Sequence, residues 1–274
     1  MHSSLVKIKF HFPNVSRETK SKHEFVNFLL ESMRRNGDIK YAGYLKEKDL
    51  QKDLIQHIGD WDPTQYKPPS IKQKQVIEKT IRAAVRKCNK ALPHPDLPIF
   101  VFVYPWFPEA DDRILFGGDT ALAAYYTMHL FVDLTAYTQA SLEQTIAHEW
   151  NHLVFYRYHL ERQYTLCAHM VMEGFAEVFR EEVMGGKPAP WALALTGKEA
   201  RKQFAVLKRK LNTTGTKTYR EVFFGSEKYK RWTGYSVGYR LAKEFRKKYR
   251  KLSWEEMMKI KPEDITKKVI KKGA

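Results

Sequence analysis

His148-Glu149-Trp150-Asn151-His152 is the stretch on which the reading of this chain turns. On an α-helix, residues four apart share a face. His148 and His152 therefore offer two imidazole nitrogens to one Zn²⁺. Glu149 sits one step round the helix, placed to reach a water beside the metal rather than the metal itself. Two ligands and a general base from one turn and a half of helix are what zinc-dependent peptide hydrolysis needs.

The surroundings of the motif extend this reading. Ser141-Leu142-Glu143-Gln144 has the form of a capping box, with Ser141 as N-cap and Gln144 three residues on. Leu142, Ile146, Trp150 and Leu153 follow as an apolar stripe at helical spacing. The motif is thus predicted to lie inside a helix over about 141–159. After twenty intervening residues comes Glu173-Gly174-Phe175-Ala176-Glu177. Residues 163–184 read as a second helix, stopped by Gly185-Gly186. That length lets one helix turn and the next pack back, so that Glu173 completes a His₂Glu set with an open fourth position. One Zn²⁺ per chain is expected. Glu177, one turn on, shares the face of Glu173 and is placed to hydrogen-bond a ligand imidazole. His169, one turn before, reads as a supporting neighbour rather than a ligand. Upstream, Thr127 to Leu134 reads as a buried strand. Before it, Phe116-Gly117-Gly118-Asp119-Thr120-Ala121 reads as a glycine-rich extended stretch. Gly117, Gly118, Asp119 and Thr120 are expected to line the cleft and to pair with substrate backbone as an added strand.

H-E-W-N-H followed by E-G-F-A-E resembles the gluzincin pattern, whose third ligand is a glutamate on a later helix. More closely, residues from about 95 to 250 resemble the YjaZ-like family of predicted zinc-dependent proteases. The resemblance rests on Gly117-Gly118, the H-E-x-x-H helix, E-G-x-A-E, and Gly234-Tyr235-Ser236-Val237-Gly238-Tyr239. It implies zinc at His148, His152 and Glu173, with Glu149 as catalytic base, and a peptide or protein substrate. A gluzincin also needs a donor to the oxyanion formed on the scissile carbonyl. Tyr235, Tyr239 and His169 are candidates, and Tyr235 is preferred because it lies in the family-like G-Y-x-x-G-Y segment.

The fold expected around the site is α+β and mainly helical, a zincin-like catalytic region with a small sheet packed on the H-E-x-x-H helix. A chain of 274 residues accommodates one or two domains. The expected division is a mostly helical N-terminal region, 1–95, and a zincin-like metallopeptidase domain, 96–274, with basic C-terminal helices. Leu5 to Phe12 alternates, with Val6, Ile8, Phe10 and Phe12 on one side and Lys7, Lys9 and His11 on the other, a half-buried strand. Helices are predicted over 17–35, closed by Asn36-Gly37, over 38–58, and over 71–91 with Ser70 as cap. A strand is predicted over Ile99 to Tyr104. The aromatic turn Tyr104 to Pro108 reads as core, and Glu109, Asp111 and Asp112 as a solvated loop.

Two cysteines, Cys88 and Cys167, give neither a disulfide framework nor a C-x-x-C zinc site. Reduced thiols fit, Cys167 as packing. The N-terminus lacks the apolar core of a signal peptide, and no run approaches a membrane span. A soluble, cytoplasmic protein is expected. Charge is uneven. Residues 1–100 carry 19 basic and 11 acidic side chains, a net +8. Residues 101–200 carry 6 and 13, a net −7, and residues 201–274 carry 23 and 7, a net +16. The basic C-terminal part suits an acidic partner or nucleic acid, although its bland reading is a solvated helix face. Two rival functions follow: a non-catalytic binding protein with a structural zinc site, and a nucleic-acid-tethered protease that cuts DNA- or RNA-bound proteins.

Overall fold

The computed structural model describes residues 5–13, 19, 21–60, 62, 66–96, 98–124, 126–159 and 164–270. In chain order these give β1 (Val6–Phe10), α1 (Lys22–Arg35), α2 (Glu47–His57), α3 (Ile71–Ala91), β2 (Ile99–Pro105), α4 (Ala110–Phe116), β3 (Asp119–Ala124), β4 (Thr127–Val132) and α5 (Gln139–His159). There follow α6 (Leu166–Met184), α7 (Gly197–Leu207), α8 (Thr216–Phe224), α9 (Thr233–Lys248), α10 (Trp254–Met258) and α11 (Pro262–Ile270). The fold is α+β and mainly helical, as expected. Contacts divide the chain into two compact units, residues 1–89 with 94–153, and residues 90–93 with 154–274.

The first unit holds the sheet, in the order β1-β2-β4-β3. β1 and β4 both run parallel to β2, and β3 runs antiparallel to β4. Every residue of β2 is buried, the mark of a strand covered on both faces. On one face Phe100, Phe102, Tyr104 and Phe131 join Phe25, Leu29, Leu30 and Met33 of α1 and Leu50 and Leu54 of α2 in a single core. The other face presents Val101, Val103, Leu130 and Val132, all fully buried. On that side Asp119, paired in register with Val132, takes a hydrogen bond from Ser141 of α5. The small sheet therefore packs on the H-E-x-x-H helix.

Three local expectations are corrected. Residues 38–58 do not form one helix. A 3₁₀ turn (Ile39–Tyr41) and α2 flank a break at Gly43, whose φ is +78°. A Cβ on Gly43 would lie 2.6 Å from the Ala124 carbonyl oxygen, so the chain must part here to let β3 through. The residues around the break clip the sheet. Thr127 Oγ1 donates to Tyr41 O at 2.7 Å, and His129 Nε2 lies 2.9 Å from Ala42 O. Next, the cap of α5 is Thr138, not Ser141. The Ser141 amide donates to Thr138 Oγ1 at 2.9 Å and the Thr138 amide to Ser141 Oγ at 3.0 Å. Serine thus fills the reciprocal position expected of Gln144 and starts the helix earlier. Finally, Phe116 ends α4, and Gly117 is its left-handed C-cap with φ +72°, so extended chain begins only at Asp119.

Just past β1 the polar side is covered at one residue, while Lys7 stays exposed. His11 is buried and stacks on Phe102 at 5.5 Å and Tyr104 at 5.9 Å. His129 continues the layer, stacked on Tyr104 at 5.8 Å. Its Nδ1 lies 3.1 Å from the Tyr104 hydroxyl. With Ala42 O accepting at Nε2, these partners assign the neutral imidazole carrying its proton on Nε2.

The second unit is helical. Leu166 and Met170 of α6, Leu207 of α7, Val222 and Phe223 of α8, and Val237 and Leu241 of α9 share a core. α6 and α9 touch backbone to backbone. A Cβ on Gly174 would lie 2.1 Å from Gly238 O, and one on Gly238 would lie 2.1 Å from Met170 O. Glycine at both positions is what lets the helices approach this closely.

Two outcomes are expected. Burial pushes the pKa of His11 and of His129 down to about 4, below the unfolded value of about 6.5. Their neutral forms therefore contribute stability that is present above pH 6.5 and lost as pH falls toward 4. Chemical denaturation at several pH values should show H129L less stable at pH 8 by about 2–4 kcal/mol, for two buried partners left unpaired, with a flatter acid limb than the parent. An unchanged acid limb would count against the assignment. Separately, G238A should lose about 1–3 kcal/mol through overpacking, read as a lowered urea midpoint at constant slope.

Candidate metal centre

α5 begins where three segments meet. The Asp133 amide donates to Gly118 O at 2.9 Å. The Asp133 carboxylate accepts from the Thr135 amide at 2.9 Å and pairs with Arg113 Nε at 2.7 Å. Gly118, at φ +88°, lies so close to this turn that a Cβ would stand 2.4 Å from Tyr137 N. The Gly117-Gly118 pair is therefore needed for close approach beneath the entry to α5. Asp119, buried, is tied by hydrogen bonds to Ser141 and Thr145, two successive points on α5. Trp150 anchors the helix further along, fully buried and edge-on to His94 at 5.8 Å.

On the helix so held, His148, Glu149 and His152 each turn a ligand-type atom to one place, all within 4.8 Å of one another. The two imidazole rings are 4.6 Å apart and nearly perpendicular, at 89°. Two ligands of a tetrahedral zinc ion stand about 3.3 Å apart, given zinc–nitrogen bonds near 2.1 Å. The ligand atoms of the pair lie within 4.8 Å of each other. Glu149 is 7% exposed and His152 6%, and His148 is half-buried. No other group of three His, Cys, Asp or Glu side chains among the described residues converges in this way.

β3, which carries Asp119 and Thr120, has β4 on one side and is the edge of the sheet. Gly117 and Gly118 form the turn that leads into it. The backbone of β3 thus keeps one row of hydrogen-bonding groups outside the sheet. The Asp119 side chain, in contrast, turns inward to α5.

Glu173, Glu177, His169 and Tyr235 all belong to the second unit. His169, Glu173 and Glu177 are spaced four apart on α6 and share one face. Glu173 is buried. Glu177 Oε1 accepts from Arg180 Nη2 and, at 2.6 Å, from the Ala189 amide, so this carboxylate fastens the chain beyond α6. The His169 ring lies 5.6 Å from Tyr164 and 4.5 Å from Tyr219. Tyr235 packs edge-on to Phe223 at 4.9 Å. Tyr239 points elsewhere, to Lys243 and to Glu181. Sequence reasoning missed Tyr219, which hydrogen-bonds Tyr235 and feels the charge of Glu173. The available signal was its spacing of four from Phe223.

Neither cysteine offers a nucleophile. Both are buried and free, and burial pushes their thiols up, that of Cys167 to about 11. Several C-terminal cations are neutralised in place. Lys243 pairs with Glu181, Arg246 with Glu182, Lys259 with Glu255 and Lys267 with Asp264. Among the described residues no helix is long and apolar enough to cross a membrane.

A family model described as a predicted Zn-dependent protease matches residues 77–267. No curated protein and no solved structure matches the chain.

Asp119 gives a test of how α5 is fastened. Burial raises its carboxyl to about 7 against the opposing effect of the Ser141 and Thr145 hydrogen bonds. The unfolded value is about 3.9. The stability that protonated Asp119 contributes is complete below that value and lost as pH rises through 7. D119N keeps hydrogen-bonding capacity without the charge. Its Tm relative to the parent should therefore rise between pH 5 and pH 8. A constant difference would show that Asp119 is already ionised across this range.

Proposed function

The chain belongs to the family of predicted zinc-dependent proteases, and on that premise we propose that it is a gluzincin-like zinc metallopeptidase. The observation that carries this reading is the convergence of His148, Glu149 and His152 within 4.8 Å on one buried helix. His148 and His152 are the helix-borne ligands. Glu173 is the third, completing a His₂Glu set for one zinc per chain. His169 and Glu177, on the same face of α6 as Glu173, are assigned to orient the ligand set.

Bound zinc supplies Lewis acidity at this position. The chain's own groups do the rest. Glu149 takes a proton from the attacking water and later hands it to the leaving amine. Substrate backbone adds to the edge of β3 as a further strand, beside Asp119 and Thr120, with the Gly117-Gly118 turn keeping that edge clear of side chains. The Tyr235 hydroxyl donates to the oxyanion that develops on the scissile carbonyl. Buried free thiols at Cys88 and Cys167 suit a reducing, cytoplasmic location.

The test separates ligation from base catalysis. The purified full chain should carry about one zinc, measured by elemental analysis. E149Q should retain that zinc while kcat on a quenched fluorescent peptide falls on the order of a thousandfold. H148A and H152A should each lose the metal. Hydrolysis by E149Q at the parent rate would end the assignment of Glu149. Absence of zinc, with none taken up on addition, would end the peptidase reading itself.

A further inference from the structure

The second unit carries its positive charge in two ways. Lys243, Arg246, Lys259 and Lys267 are paired with acids, whereas the cations of α7 are not. Between Glu199 and Glu221 the chain has no acidic residue. Lys198, Arg201 and Lys202 of α7 are exposed, as are Lys208 and Arg209 of the 3₁₀ turn that extends it (Lys208–Lys210). None of these enters an ion pair among the described residues. The one acid of α7, Glu199, is already engaged by Lys230 at 2.6 Å. Lys198 and Lys202 stand one turn apart and repel, and Lys198 lies in the first turn, where a cation opposes the helix dipole. An anion laid over this face would relieve both costs.

The inner face of α7 holds the helix in place without these charges. Ala200 and Leu207 join the core of the unit, with Phe204 packed against it. Thr196 and Glu199 close a capping box at the start. On the outer side, apolar side chains lie among the cations. Val206 of α7 is 53% exposed, Leu193 in the turn before α7 51%, and Phe224 at the end of α8 53%. Among the described residues of the second unit no other large apolar side chain is so exposed. The chain that follows Phe224 is fastened along α7. Lys230 reaches Glu199, which shares a face with Val206 seven positions on. One residue earlier, the Tyr229 ring lies 5.6 Å from Lys210 Nζ at the far end of the 3₁₀ turn. Apolar side chains exposed singly are ordinary on a protein surface. Here all three flank one unpaired cationic helix.

We propose that the outer face of α7, with the Phe224 end of α8, is a docking surface for an anionic lipid membrane. The proposal goes beyond the peptidase reading and does not depend on it. A bilayer surface accepts charge and apolar side chains next to each other. The lysines and arginines meet headgroup phosphates and carboxylates, while Leu193, Val206 and Phe224 enter the boundary between headgroups and acyl chains. Nucleic acid would reward the cations alone. Bases stack on aromatic rings, and Leu193 and Val206 offer none.

The experiment sediments the full chain with sucrose-loaded vesicles of phosphatidylcholine, alone or with about a third phosphatidylserine. The parent should bind the anionic vesicles at least about tenfold more tightly than the neutral ones, and less tightly as salt is raised. R201E/K202E/R209E should weaken that binding about tenfold or more. R201Q/K202Q/R209Q replaces it if Tm shows the charge reversal to be unfolded. K247E/R250E/K251E makes the same change in net charge at exposed cations of α9 and the chain just after it, and should bind within about threefold of the parent. V206S/F224S should weaken binding about fivefold or more at unchanged charge. Equal losses from the two charge reversals would reduce the effect to net charge and overturn the proposal. Parent-like binding by V206S/F224S, or no binding to anionic vesicles at low salt, would overturn it too. A single-stranded oligonucleotide that binds more tightly than the vesicles and displaces the chain from them would assign the face to nucleic acid instead.

Discussion

The H-E-x-x-H helix is buried on nearly every side, and much else follows from that constraint. Leu142, Ile146, Ala147, Trp150, Leu153, Val154 and Phe155 of α5 are all fully buried. A helix in that condition has no solvated face on which to carry histidines and carboxylates without cost. Its polar groups must be answered locally. At its start Thr138 and Ser141 cap each other, and Asp119 binds Ser141 and Thr145. In its middle His148, Glu149 and His152 face one another. The same burial that makes these groups expensive holds them in fixed orientations, which a metal centre needs.

The second unit solves its positioning problem with missing side chains rather than with polar ones. Gly174 and Gly238 let α6 and α9 touch, and Gly234 admits an aromatic ring to the backbone of α9. Contacts of this kind tolerate little slack, since backbone atoms cannot rotate out of the way. Glu173 therefore sits one residue from the close contact of α6 with α9.

The sequence made some of this plain and hid the rest, for physical reasons. Periodicity exposed β1, β2, β4 and the long helices, because each buries a face at a fixed repeat. The cap of α3 was readable, as Ser70 and Gln73 do exchange hydrogen bonds. The cap of α5 was not. Ser141 reads equally well as N-cap or as the third residue of the helix, and its exchange of hydrogen bonds with Thr138 decides between them. Gly43 gave no helix-ending signal strong enough to outweigh the apolar repeat around it, because its constraint comes from Ala124, eighty-one positions away in the numbering. The H-E-x-x-H group was legible because its geometry is internal to one helix. Tyr219 was only half legible: its stacking on Phe223 follows from a local spacing of four, whereas its contact with His169 lies on another helix.

The layer of aromatic rings beneath α1 and α2 bears on how the molecule can be divided. The family match begins at residue 77, yet β1, α1 and α2 all precede it. A chain trimmed to the matched span would lose β1 from the flank of β2 and uncover Phe100, Phe102, Tyr104 and Phe131. An open, flat edge next to a bare aromatic surface is the usual starting point for strand-to-strand association. The span matched by the family model thus leaves out β1, α1 and α2, which cover one face and one flank of β2.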